Sequence, residues 1–259
     1  RQMCIRDSFP LLQDGLKTTS WGTTLFLLSS TYDQDMHANP NNPKATNGTD
    51  QAWGGNRARP DLVKKFFPNG NVPNLESYAT AEAAGDDRAL FCGVNRTLDN
   101  DDVSTFKSGF AVAKFTNFKT DGSAGHDATF PDADFFLMRA AEAYLNFAEA
   151  DARINGGQTT EEGTAAINAI RKRAHASTRE DKGYSLSDIC DEWSREFYFE
   201  GRRRMDLIRF NRYGGNVNYN WQWKGGTKEG RNFSENLNIF AIPTNELTSN
   251  KNLTQNPGY

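Results

Sequence analysis

The chain has 259 residues, enough to bury a full core in one large domain or two. A formal net charge of −3 excludes the strongly basic footprint of a nucleic-acid binder, and no run of the roughly 18 apolar residues needed to span a membrane is present. A mean hydropathy of −0.74 beside 18 Phe, 8 Tyr and 5 Trp fits a loop-rich soluble protein with aromatic anchors rather than an unfolded chain.

Arg1–Ser8 lacks the apolar stretch of an export signal, so Cys4 does not read as a lipidation site and this start is expected to be non-native or unstructured. From about Phe9 to Phe130 turn formers dominate, as in Asn39-Pro40-Asn41-Asn42-Pro43 and Pro68-Asn69-Gly70-Asn71. Short apolar runs predict buried strands at Thr24–Leu28 and Phe110–Phe115, and short helices at Pro60–Phe67 and Leu75–Ala84.

The pattern changes after Asp132. Asp134 to about Ile154 predicts a helix with two apolar faces, Leu137, Ala141, Tyr144 and Ala148 on one and Ala140, Ala143 and Phe147 on the other. Arg139, Glu142, Asn146, Glu149 and Arg153 form its polar stripe, and Asn155-Gly156-Gly157 stops it. A second helix follows, with Thr159 and Glu162 spaced as a capping box and Ile167, Ile170 and Ala174 as the apolar stripe. Arg171, Lys172, Arg173 and His175 crowd its end, where positive charge suits the macrodipole. The pair reads as a tetratricopeptide-like hairpin, a unit that needs neighbours to bury both faces. A third helix is predicted from about Ser187 to Phe210, and a strand at Ile239–Ile242.

No catalytic or metal-binding signature stands out. Cys4, Cys92 and Cys190 form no CxxC pair, and His37, His126 and His175 are isolated. The acidic run Asp99-Asn100-Asp101-Asp102 lacks the Gly and Glu of an EF-hand loop and reads as a solvated turn. Glu196 and Glu200 share the i, i+4 spacing of a helix face. Arg195, Arg203, Arg204 and Arg209 surround them, which favours ionised, paired carboxylates over a general acid. A glycosidase also needs its two carboxyl groups on opposite sides of a cleft.

Sugar binding asks for rings that bury an apolar pyranose face, with amides, carboxylates or guanidinium groups at the rim. Tyr32 beside Asp33, and Trp53 beside Gln51, Asn56 and Arg57, sit in a polar, turn-rich segment suited to that work. Packing of Trp53 under Gly54-Gly55 is the equal alternative. Tyr219, Trp221 and Trp223 alternate along an extended segment and would share one face. They form either a second sugar platform or, the favoured reading, a hydrophobic clasp.

Several motifs carry a resemblance. The chain ends Asn250-Lys251-Asn252-Leu253-Thr254-Gln255-Asn256-Pro257-Gly258-Tyr259, a turn followed by an aromatic anchor, shortly after Leu237-Asn238-Ile239-Phe240-Ala241-Ile242-Pro243. The third helix reads Glu192, Arg195-Glu196-Phe197, Glu200-Gly201, Arg203-Arg204, then Asp206-Leu207-Ile208-Arg209. Before it come Trp53-Gly54-Gly55-Asn56-Arg57, Asp86-Asp87-Arg88, Lys114-Phe115-Thr116-Asn117, and the hairpin motifs around Arg139, Glu142, Tyr144 and Arg171-Lys172-Arg173. Trp221-Gln222-Trp223-Lys224-Gly225-Gly226 follows. Each is weak alone. The ordered set, from about Trp21 to Tyr259, resembles the C-terminal portion of the SusD/RagB family of outer-membrane nutrient-binding lipoproteins of Bacteroidetes. Trp193 departs from the pattern, because the family usually has an arginine there.

The resemblance implies a mainly α SusD-like fold, with the tetratricopeptide-like hairpin, long ordered loops and a few short strands. It implies a C-terminal SusD/RagB-like domain over residues 9–259, with the helical repeats and signal peptide of the family lying N-terminal to this sequence. It further implies a non-catalytic protein of the outer-membrane surface, without cofactor or metal, lipid-anchored in the full-length protein. Its expected partners are an oligosaccharide or polysaccharide and a SusC-like TonB-dependent transporter, with a peptide as the rival ligand. Tyr32, Asp33, Gln51, Trp53, Asn56 and Arg57 are the expected contacts. The rivals from other classes are a helical protein-interaction scaffold and a glycoside hydrolase.

Overall fold

The structure is a computed structural model that describes residues 57–115, 117–119, 121–123, 125–127 and 136–259. The chain divides into two compact units, 1–200 and 201–259. The strand expected at Thr24–Leu28 lies outside the described residues. Helices dominate, as the fold-class reading anticipated, and none among the described residues is long and apolar enough to cross a membrane.

In the first unit, α1 (Pro60–Val63) opens on Pro60, whose fixed φ suits a first helical position, and runs into a 3-10 turn over Lys64–Phe66. Helix α2 (Ser77–Ala84) ends at Gly85, which is left-handed at φ 59°. The run from Phe110 to Phe115 supplies β2 (Ala111–Val112), antiparallel to β1 (Phe91–Cys92) with Phe91 opposite Val112. Phe66, Phe67, Phe91, Phe110, Val112 and Tyr198 pack here into one buried cluster. Each such side chain contributes roughly 1.5–3 kcal/mol by leaving water. Gly93 is required beside it, since a Cβ there would lie 2.5 Å from Cζ of Phe110.

The hairpin consists of α3 (Ala140–Ile154) and α4 (Glu161–Arg173), with α5 (Leu186–Phe197) also packed on α3. Several details differ from the sequence reading. Helix α3 starts at Ala140, because Arg139 is extended at φ −149° and sends its guanidinium toward α5. Leu137 and Met138 therefore precede the helix and are exposed. One face of α3 is buried, through Ala141, Leu145, Ala148, Glu149 and Ala152. The second expected face, Ala140, Ala143 and Phe147, is exposed and has no cover among the described residues, and Tyr144 of the first face is about half exposed. Glu149, expected on the polar stripe, faces inward.

The capping box of Thr159 and Glu162 does not form. Thr160 is the N-cap, and Asp151 of α3 accepts from its backbone N–H at 2.6 Å and its hydroxyl at 2.9 Å. Thr159 instead accepts from the Tyr184 N–H at 2.8 Å. Gly163 makes room for the Asp151 carboxylate, which a Cβ would meet at 2.1 Å. The stripe of Ile167, Ile170 and Ala174 is buried as expected. A capping box does exist on α5, between Ser185 and Asp188.

The long third helix is broken. Helix α5 stops at Phe197, and α6 (Arg203–Arg209) begins the second unit. Phe199 at φ 60° and Gly201 at φ 75° lie between them in a conformation no α-helix tolerates. Tyr198 drives the break by turning into the core, where its hydroxyl donates to the Arg88 carbonyl at 2.7 Å.

The second unit holds α6, 3-10 turns at Lys224–Gly226 and Glu235–Asn238, and α7 (Thr244–Ser249). The strand expected at Ile239–Ile242 does not form, and no partner strand reaches it among the described residues. Side-chain amides replace that partner. Gln255 accepts from the Ile242 N–H at 2.8 Å and donates to its carbonyl at 2.9 Å, while Asn256 donates to the Phe240 carbonyl at 2.8 Å. The terminal Tyr259 hydroxyl donates to the Ile239 carbonyl at 2.7 Å, so the chain end folds back on its own unit.

Candidate functional site

Glu192 and Glu196 lie one turn apart on the inner side of α5, and Glu200 follows just past its end; all three are buried. Glu192 accepts from Arg88 at 2.7 Å, Arg171 at 2.7 Å and Arg195 at 2.7 Å. Glu196 accepts from Arg88 at 3.1 Å and Arg173 at 2.7 Å, and also from Arg139. Glu200 takes two Arg139 donors at 2.8 Å and the Lys114 ammonium. Arg88 also forks onto Asp86, with Nη2 2.7 Å from Oδ2. The arginines come from a loop (Arg88), the entry to α3 (Arg139), the end of α4 (Arg171 and Arg173) and α5 itself (Arg195), and converge on one buried seam.

Electrostatics decide what this seam can do. Burial alone would raise the carboxyl pKa values. The guanidinium groups of Arg195, Arg88 and Arg171 outweigh it at Glu192, and those of Arg139, Arg88 and Arg173 outweigh it at Glu196, so both are held well below the usual range. Glu200 is lowered too, its burial outweighed by Lys114 and Arg139. Burial brings Lys114 down to about 8 despite Glu200. Acids held ionised in this way cannot donate a proton near neutral pH. Their role is to brace, as the helix pattern suggested. Arg195 was foreseen as a partner, whereas Arg88, Lys114, Arg139, Arg171 and Arg173 were missed. Lys114 and Arg139 carried a signal, charge placed inside an otherwise apolar segment, whereas Arg88, Arg171 and Arg173 stand among other charged residues and carried none. Arg203 and Arg204 serve the second unit, donating to the Tyr219 hydroxyl at 2.9 Å and the Asn238 carbonyl at 2.9 Å; Arg209 pairs with Asp206 at 3.0 Å.

Of the expected sugar contacts, Tyr32, Asp33, Gln51, Trp53 and Asn56 lie outside the described residues. Arg57 is described. Its guanidinium donates to the Ser108 carbonyl at 2.9 Å, the Val103 carbonyl at 3.0 Å and the Thr105 carbonyl, and sits 5.9 Å from the Phe106 ring centre. It thus grips the loop that carries the acidic run. There Asp102 accepts from the Ser104 N–H at 2.8 Å and caps its own turn. Among the described residues no group of three or more His, Cys, Asp or Glu side chains could hold a metal ion.

Tyr219, Trp221 and Trp223 are partly buried and do not share one extended face, because Trp223 is left-handed at φ 69°. Trp221 stacks on Tyr213 at 6.1 Å, and Phe233 meets Tyr213 edge-on at 5.0 Å. Beneath them the Lys224 ammonium is buried 4.7 Å from the Trp221 ring centre and donates to the Asn216 carbonyl at 3.0 Å. This is the packing expected of a clasp. A cleft of about 570 Å³ lies along α4, lined by Thr160, Thr164, Asn168, Lys172 and Arg179 among others, with no aromatic ring on its walls.

Comparison with known proteins agrees with this architecture. The sequence profile of the SusD family matches residues 81–259. The starch-binding protein SusD of Bacteroides thetaiotaomicron is 36% identical over 281 aligned positions, covering 96% of this chain and 48% of the relative. The chain therefore spans about half the length of that curated relative. Among solved structures, a SusD-like protein of Bacteroides fragilis superposes with a TM-score of 0.56 at 20% identity, over 91% of this chain and 51% of that one. A SusD homologue of Bacteroides thetaiotaomicron gives 0.47 at 20% identity, over 76% and 43%. The profile match over residues 81–259 and the identity across nearly the whole chain lead to one conclusion: the chain belongs to the SusD family.

Proposed function

We propose that this chain is the C-terminal portion of a non-catalytic glycan-binding protein of the outer-membrane surface. The observation that carries the reading is its 36% identity, across 96% of its length, to a relative named for binding starch. Tyr32 and Trp53 are the proposed stacking platforms, and Asp33, Gln51 and Asn56 the hydrogen-bonding groups. Arg57 joins them as the residue that holds the adjoining loop in place. The ligand is an oligosaccharide or polysaccharide, bound with modest affinity, because shallow polar ligands retain little surplus after desolvation. Delivery to a SusC-like TonB-dependent transporter, and a lipid anchor on the full-length protein, complete the proposal. No cofactor is required. The braced state of Glu192, Glu196 and Glu200 favours binding over hydrolysis, since none of the three is available as an acid.

The test is affinity electrophoresis of the chain against a panel of polysaccharides, with reducing-sugar release measured in parallel. Retardation without sugar release supports the reading. Sugar release, or no retardation on any polysaccharide, overturns it.

A further inference from the structure

Helix α3 carries a second apolar seam that its own hairpin leaves bare. Ala140, Ala143, Phe147, Ala150 and Ile154 recur at alternating steps of three and four, and all five are exposed, Phe147 by 53% and Ile154 by 83%. Tyr144 flanks them. This is the spacing of a helix that packs along another helix. The other side of α3 is already occupied: Ala141, Leu145, Ala148 and Ala152 are buried, and α4 and α5 pack on the helix.

Single exposed apolar side chains are ordinary, but a continuous stripe is not. At a rise of 1.5 Å per residue this one runs about 21 Å, from Ala140 to Ile154. None of its five positions is charged. Asp151, at its edge, already accepts from Thr160. Three alanines allow a neighbouring backbone close, while Phe147 and Ile154 supply bulk to fill grooves. Such a surface suits an apolar helix face rather than a sugar or a charged peptide. The hairpin points the same way, because a repeat unit completes its core only when stacked on a neighbour. The chain covers 48% of its starch-binding relative, so a full-length protein of that size has as much chain again to supply one. We propose that the bare face of α3 receives an amphipathic helix of the same polypeptide, from the part of the full-length protein outside this sequence. The inference rests on the reading of this chain as a C-terminal portion.

The test reads thiol accessibility in this chain and in the full-length protein, both carrying Cys4→Ser. Cys92 and Cys190 are buried and stay in place. Ala143→Cys and Ala150→Cys report on the seam, and Lys182→Cys on an exposed bend before α5. A thermal melt confirms that each variant is folded. In this chain alone, a maleimide is expected to label all three equally fast. In the full-length protein the two seam thiols are expected to label at least about tenfold more slowly, with Lys182→Cys unchanged. Equal labelling of all three in the full-length protein overturns this inference and leaves the C-terminal reading standing. Slow labelling of the seam in this chain alone also overturns it: protection lifted by dilution assigns the face to a second copy, and protection independent of concentration assigns it to residues of this chain. A full-length protein with no further helical segment overturns both readings.

Discussion

Trp193 hydrogen-bonds Glu149 through its indole N–H, at 3.0 Å, with both side chains buried between α5 and α3. The indole supplies a donor to this buried carboxylate without adding a charge, and its ring packs 5.2 Å from Phe197. The other Glu149 oxygen accepts from Arg153 at 2.8 Å, a pair that reaches the surface. Trp193→Phe preserves most of the packing and removes the donor. The expected cost is about 1–3 kcal/mol, read as a lower urea midpoint with an unchanged slope.

Arg88 is the common partner of Asp86, Glu192 and Glu196. Arg88→Met keeps its length and strands buried carboxylates. Loss of about 3–5 kcal/mol is expected, the range for removing one side of a buried ion pair. A stability within 1 kcal/mol of wild type by chemical denaturation would show that water or rearranged arginines replace it.

Acid should unfold the first unit in a defined direction. Glu192, Glu196 and Glu200 have folded pKa values below their unfolded ones, which lie near 4.3. The unfolded chain therefore takes up protons that the folded chain refuses. The stability these groups contribute is whole above about pH 4.5 and drains away as the pH falls toward their folded values. Urea midpoints measured from pH 7 down to pH 3 should fall steeply at the acid end. Glu196→Gln should be less stable at neutral pH and show a shallower acid slope, by about one proton.

Trp53→Ala and Tyr32→Ala should each abolish or weaken retardation on the cognate polysaccharide, by about tenfold or more if these rings anchor the site. Full retardation by both variants in affinity electrophoresis would remove them from the binding surface. Melting temperatures of the two variants decide whether any loss reflects binding or folding.

Sequence periodicity exposed some elements and hid others for physical reasons. The buried stripe of α4 was readable because Ile167, Ile170 and Ala174 repeat at helical spacing. The break after Phe197 was not, because Tyr198-Phe199 continues an apolar helical pattern while Tyr198 turns into a core built from distant Phe66 and Phe91. Gly201 was the one local warning. Ile239–Ile242 has the composition of a strand, yet no partner strand reaches it among the described residues, and Gln255 and Asn256 meet the Ile242 N–H and the Ile242 and Phe240 carbonyls. Glu149 looks like a surface residue until Trp193 is known to face it. For the sugar contacts, composition pointed to a polar, turn-rich segment with rings, of which only Arg57 lies among the described residues. It did not show that Arg57 spends its donors on carbonyl groups of a loop about fifty residues further along, because such a pairing has no local signature.

The seam on α5 also governs how the first unit assembles. Arg195 lies on α5 itself, but Glu192 and Glu196 gain their other partners only when Arg88, Arg139, Arg171 and Arg173 have arrived, from positions up to about a hundred residues away along the chain. A partly folded form that has docked α5 but lacks one of those segments carries a naked charge in an apolar setting, which is strongly penalised. Intermediates should thereby be depopulated, and the unit is expected to unfold in a single cooperative step. Rapid local helix formation gives way to a slow closing search, as distant loops must be gathered before any of these charges is repaid.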